Sequence, residues 1–182
     1  MRTFIIIIGS VAAIILLVPL FISEDNAVVR SIEVQAPVET VYRVVKDFNY
    51  YKQWNAWSKM DKDASGEISG PVGEVGATWS WDGDTVGQGT LTIEALERNK
   101  SITSQLIFIS PMEGKAKDLW HFEMLDSSST KITWTYAGKA TGYFERYMNL
   151  AMDGFLGPML ESGLSNLKKL LENLPEPKMI PE

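Results

Sequence analysis

Six tryptophans and eight methionines are the distinctive side chains of this 182-residue chain, which has no cysteine and one histidine, His121. Without cysteine there is no disulfide, thiolate nucleophile, iron–sulfur cluster or thiolate zinc site. With one histidine there is no His-rich metal site. His121 is the one imidazole available for acid–base chemistry, but it alternates with Trp120 and Phe122, which turns it outward, away from an apolar face. Asp82 and Asp84 flank Gly83, where aspartate serves the turn itself. Gly87-x-Gly89 lacks the third glycine and the following helix of a dinucleotide site. Asp61-Lys62-Asp63 has too few ligands for a calcium loop. No nucleophile, base and orienting group come together, so the expectation is no catalytic residue, no metal and no cofactor.

What these residues suit is an apolar ligand. Trp79, Trp81, Phe108, Trp120, Phe122, Trp134 and Tyr136 fall on the inward parity of strand-like segments, whose inward positions read as almost wholly apolar. Trp54 and Trp57 follow the first helical segment of the domain and pin helix to sheet, with Trp57 also a candidate for a pocket wall. Met148, Met152, Phe155 and Met159 recur at helical spacing, and methionine adapts both to irregular ligands and to irregular core gaps. Trp57, the seven strand residues and these four form the candidate ligand-binding set. The alternative is that they fill a dry core.

The elements that must position them are read from periodicity. Residues 28–36 alternate as a strand. Pro37 opens a helix in which Val38, Val41, Tyr42 and Val45 share a face, and residues 50–57 form a second short helical piece. Residues 61–71 read as loop, with a short strand at 67–69. From Ala77 the period is two, through strands ending at Trp81, Ala95, Ile109, Met124 and Tyr136 and joined by short turns, as antiparallel neighbours are. Residues 142–174 return to helical spacing, carrying Phe144 in the apolar stripe. Gly157-Pro158 is expected to kink or restart that helix, and residues 175–182 read as a frayed tail. A sheet with one aromatic face needs a cover, and only the long last helix is large enough. The fold class is therefore α+β, a curved antiparallel sheet gripping a C-terminal helix over an apolar cavity.

Residues 4–22 carry no charge and, as a helix, are roughly 28 Å long, near the thickness of a bilayer core. Arg2 precedes them, and Glu24 and Asp25 follow. The stretch exceeds a signal peptide's apolar region, and residues 19–23 offer no A-x-A cleavage site. A single uncleaved span is expected, with a cleaved signal and a core helix as alternatives. The lone arginine puts the N-terminus on the cytoplasmic side and the domain outside. Arg2 is the only charge in the first 22 residues, so the rest carries −7 against −6 for the whole chain. With no basic block, that balance argues against nucleic acid. The expected organisation is an anchor and tether over 1–27, one domain over 28–174 and a tail over 175–182. The oligomeric state is not legible.

The order of motifs resembles the SRPBCC (START/Bet v 1-like) superfamily, in particular bacterial polyketide cyclase/dehydrase and lipid-transport-like proteins with an N-terminal membrane helix. The matching pieces are residues 32–37 leading into the helix to Val45, then Asp47-Phe48, Trp54-Asn55-Ala56-Trp57, Gly73, Gly76 and Trp81. Gly87-x-Gly89 with residues 90–93, Lys131-Ile132-Thr133-Trp134 and residues 163–168 complete it. The resemblance implies a helix-grip fold. It leaves three functions open: a membrane-anchored domain sheltering a hydrophobic, lipid-like molecule, a cyclase-type enzyme on an apolar ketone or ester, or a co-chaperone-like module with a closed cavity and an exposed apolar patch.

Overall fold

The computed structural model describes residues 2–61, 63–143 and 145–174, so the expected tail, Phe144 and Lys62 lie outside the described residues. The chain runs α1 (Arg2–Leu17), a 3-10 turn (Val18–Phe21), β1 (Asp25–Val34), α2 (Val38–Lys46), α3 (Phe48–Trp54) and a second 3-10 turn (Trp57–Lys59). Then follow β2 (Ser65–Ser69), β3 (Thr78–Gly83), β4 (Gly87–Glu97), β5 (Ser101–Ser110), β6 (Gly114–Met124), β7 (Thr130–Lys139) and α4 (Glu145–Asn173). The first strand begins at Asp25, three residues before the alternation predicts, because Glu24 and Asp25 already pair with the end of β7: the Ala140 N–H donates to the Glu24 carbonyl at 2.8 Å.

Local chemistry sets the boundaries. Pro37 occupies the N-cap of α2 at φ −60°, ψ 146°, a conformation its ring favours and one that turns the chain out of β1. Asp47 closes α2 and caps α3, its Oδ1 accepting the Asn49 N–H at 2.9 Å, the usual service of an aspartate at a helix start. Val38, Val41, Tyr42, Val44 and Val45 bury the inner stripe of α2.

The seven strands make one sheet in the order β1-β7-β6-β5-β4-β3-β2, every neighbour antiparallel. Consecutive strands from β2 to β7 meander, and β1 joins the far edge beside β7. Register shifts between β4 and β5 at Gln88/Gly89 and Ile93/Ala95 add the bend that curls the sheet. The helix α4 lies across the concave face, with Leu156, Leu160, Leu164, Leu167 and Leu171 buried against it. Gly157-Pro158 does not restart α4: Pro158 sits inside one continuous helix. The carbonyl that loses its donor there belongs to Gly154, which is exposed and open to water, so the loss is compensated by solvent.

Thr3–Phe21 is the one stretch among the described residues long and apolar enough to cross a membrane, and it is almost wholly outside the core. A signal sequence would pass the same test. Its last turns are tied to α4. Arg146 Nη1 donates to the Pro19 carbonyl at 3.1 Å, Tyr147 Oη to the Ile15 carbonyl at 2.6 Å and Asn149 Nδ2 to the Ser23 carbonyl at 2.8 Å.

Candidate functional site: an aromatic cavity with one buried acid

Between the sheet, α3 and α4 lies a cavity of about 320 Å³, the size of a small-molecule site. Its walls come from separate elements: Tyr51 and Asn55 from the end of α3, Trp79 and Trp81 from β3, Leu106 and Phe108 from β5, Trp134 and Tyr136 from β7, and Leu156 and Leu160 from α4. The inner end is buried. Trp81, Val86, Phe108 and Tyr136, toward the other end, are only half-buried, and that is the end of the sheet where β1 begins.

Two glycines let the tryptophans lie flat. Gly66, Trp81 and Gly89 sit opposite one another on β2, β3 and β4. A Cβ on Gly89 would stand 2.2 Å from Trp81, and one on Gly66 2.1 Å from Trp79. Each indole thus covers a strand that has no side chain there. Gly87 serves the backbone instead: at φ +66° its missing Cβ would meet the Ser110 carbonyl at 2.1 Å. Gly87-x-Gly89 is a wall-building motif.

At the back of the cavity the chemistry changes. Asp118 is 8% exposed on the inner face of β6. Its Oδ1 accepts the Trp134 indole N–H at 2.5 Å and its Oδ2 that of Trp120 at 2.6 Å. Trp120 and Trp134 stack at 4.4 Å, so the carboxyl bridges the N–H edges of an aromatic pair. Burial pushes its pKa up to about 6, against the downward pull of the two indole donors. Burial, with a further push from the nearby Asp118 charge, drives the Tyr51 phenol far above the ordinary range. Asn55 is buried and folds its Oδ1 onto the Trp57 N–H at 2.9 Å.

The expected site residues divide. Trp57, Trp79, Trp81, Phe108, Trp134 and Tyr136 line the cavity. Trp120 and Phe122 are inward but lie beyond its closed end. Trp120 borders a separate water-sized void of about 10 Å³, and Phe122 meets Tyr42 edge-on at 6.0 Å. Trp54 is 1% exposed between Trp120 and Trp134, the pinning role expected of it, although its own N–H has no partner.

The methionine stripe is a correction. Met148 and Phe155 are 55% and 66% exposed, Met152 and Met159 are half-buried, and none of the four borders the cavity. Arg30 sets the rotation of α4. Its guanidinium reaches Asp153 at 2.8 Å and Glu161 at 2.6 Å and lies against Gly157, where a Cβ would stand 2.0 Å away. At about 100° per residue, that contact turns Leu156 and Leu160 inward and Met148, Met152, Phe155 and Met159 to the flank away from β1. The reading of the inward positions as almost wholly apolar is also overturned, because Asp118 shares them.

His121 is exposed on the outer face as expected, and Asp82 and Asp84 are exposed at the β3–β4 turn. Among the described residues, no group of three or more His, Asp or Glu side chains could hold a metal ion.

A curved antiparallel sheet gripping a long helix over an aromatic cavity defines a helix-grip domain of the START/Bet v 1-like class. The chain belongs to the family described as polyketide cyclase / dehydrase and lipid transport, whose model matches residues 26–172. No curated protein matches it in sequence. Among solved structures, norcoclaurine synthase from Thalictrum flavum is similar at 16% identity and TM-score 0.60, covering 84% of this chain and 90% of that one. The Zhui aromatase/cyclase from a Streptomyces species follows at 17% and 0.59, covering 81% and 94%. The Aha1 protein from Colwellia psychrerythraea is similar at 20% and 0.53, covering 81% and 96%. At such identities the likeness is one of fold.

Proposed function

We propose that this protein is a single-pass membrane protein whose domain shelters a hydrophobic, lipid-like small molecule in the cavity between sheet and α4. The carrying observation is the cavity itself: about 320 Å³, walled by Trp57, Trp79, Trp81, Phe108, Trp134 and Tyr136. Its half-buried lining lies at the sheet end where the chain leaves the apolar helix, and α4 is hydrogen-bonded to that helix's last turns. Both features support loading from a bilayer. In this reading α1 stays uncleaved, the N-terminus is cytoplasmic and the domain extracytoplasmic. The test is lipid extraction and mass spectrometry of purified full-length protein beside Leu106→Trp, which places an indole in the open space opposite Leu91. The wild type is expected to carry an apolar molecule that the variant lacks, at roughly equal stability, since filling a void avoids the cost of overpacking a full core. An empty wild type that rebinds nothing overturns the reading.

One observation favours a second reading, a cyclase-type enzyme on an apolar ketone or ester: Asp118 is an acid–base group inside an apolar cavity. Turnover of such a substrate, lost in Asp118→Asn while binding persists, is its test. The open cavity weighs against the co-chaperone-like module, which needs a closed one.

A further inference from the structure

The buried carboxyl of Asp118 has two hydrogen-bond donors and no cation. Both donors are neutral indoles, and among the described residues no lysine, arginine or histidine pairs with it. A carboxylate has about four acceptor sites, so capacity remains on the cavity side. A buried charge without an opposite charge is costly, and a partner that supplies one restores the balance.

The groups facing this carboxyl leave that role vacant. From α3 come Tyr51, which burial keeps neutral, and Lys52, which is exposed at the rim with its Nζ 5.0 Å over the Trp79 ring. From β7 comes Tyr136, whose phenol burial also raises. From β5 comes the Ser104 hydroxyl, and from β3, β4 and α4 only apolar or aromatic side chains. At the rim, Asp61 accepts the Thr85 N–H at 2.8 Å, which holds its carboxyl below the ordinary range. The lining thus sets two carboxyls against one ammonium, and that ammonium is already spent at the edge. Four of the remaining lining residues are Trp57, Trp79, Trp81 and Trp134, and tryptophan is the best of the aromatic surfaces for a cation.

We propose that the cavity selects a cationic apolar molecule, its hydrocarbon or aromatic body among the tryptophans and a protonated amine against the Asp118 carboxylate. This rests on the reading of the cavity as a ligand site and adds the ligand's charge. Fatty acids and other apolar anions are disfavoured, because each would bring a second negative charge to an unpaired one. The preference depends on ionised Asp118 and fades as the pH falls below about 6.

The probes are 1-naphthylmethylamine and its neutral isostere 1-naphthylmethanol, titrated calorimetrically into the full chain in phosphatidylcholine nanodiscs, with empty nanodiscs as baseline. At about pH 7.5 the amine is expected to bind at least roughly tenfold more tightly, as a charge-assisted hydrogen bond does over a neutral one. That advantage is expected to shrink toward about pH 5, where Asp118 is protonated. Asp118→Asn, which keeps an oxygen for one indole, is expected to equalise the two probes. If Asp118→Asn fails to fold, the wild type alone keeps the inference testable: an amine preference that stays constant from about pH 7.5 to about pH 5 overturns it. Equal binding of amine and alcohol by the wild type, or an amine preference unchanged in Asp118→Asn, overturns the inference and leaves the cavity reading standing. Binding of neither probe overturns both.

Discussion

At the scale of single residues, Asp118 links stability to pH in the direction opposite to most carboxylates. Its folded pKa is raised from 3.8 to about 6 by burial, so between those values the native state holds a proton that the unfolded chain has released. Stability contributed by this residue is therefore present below 3.8 and lost as the pH rises through 6, on the order of 3 kcal/mol in all. Asp126 and Glu145 are held below their ordinary values by hydrogen bonds and pull the other way at lower pH, so the informative quantity is a difference. Denaturation of wild type and Asp118→Asn across this range is expected to show the variant gaining on the wild type as pH rises, with a plateau above about 6. A constant difference would mean that Asp118 is not buried as described. The residue was legible. The alternation that places Trp120 inward also places Asp118 inward when run back two positions, but Leu119 beside it faces outward, and that inversion of the usual polarity hides the acid. Tyr51 and Asn55 were not legible, because α3 has seven residues, too few for a periodicity to fix its rotation.

At the scale of elements, strands were more readable than helix rotation. Period-two alternation has only two solutions, so seven antiparallel strands and their inward faces follow from local pattern. A long helix has a continuum of rotations, and α4 carries apolar residues around most of its first half. Its orientation comes from Arg30 on β1 and the bare Gly157 beneath it, a contact between residues far apart in sequence. The cavity walls rest on similar small-to-large pairings across strands. Gly89→Ala tests one: its Cβ would meet the Trp81 ring at 2.2 Å and the Ile107 carbonyl at 2.5 Å. The ring can rotate only into the cavity, while the carbonyl belongs to the ladder. Chemical denaturation is expected to show a loss of about 1–3 kcal/mol, the cost of an overpacked site. Acrylamide quenching of the combined tryptophan emission is expected to rise as the Trp81 ring is displaced. Unchanged stability would show that β4 and β5 can separate at this bulge without cost.

At the scale of the whole molecule, the junction between the apolar helix and the domain is structured. Glu24 sits at its centre. Its carboxylate pairs with Arg146 and, at 3.3 Å, with Lys139, and its carbonyl accepts the Ala140 N–H. The full chain is expected to pellet with membranes and to resist alkaline carbonate, as an inserted span does. A shortened chain in the carbonate supernatant would instead identify residues 1–22 as a cleaved signal. The junction also decides where the domain can be cut. Removing residues 1–22 keeps Glu24 and the first pairs of β1 with β7, whereas removing residues 1–26 takes away Glu24, Asp25 and Asn26 and leaves Arg146 and Lys139 without their carboxylate. The ion pairs are partly exposed and contribute little, so the difference comes mainly from backbone hydrogen bonds at about 1 kcal/mol each. Thermal unfolding of the two truncated domains is expected to place the longer one higher by roughly 1–2 kcal/mol, with both folded, because the core from Val28 onward is common to them. Equal stability would mean that the strand end is frayed in solution.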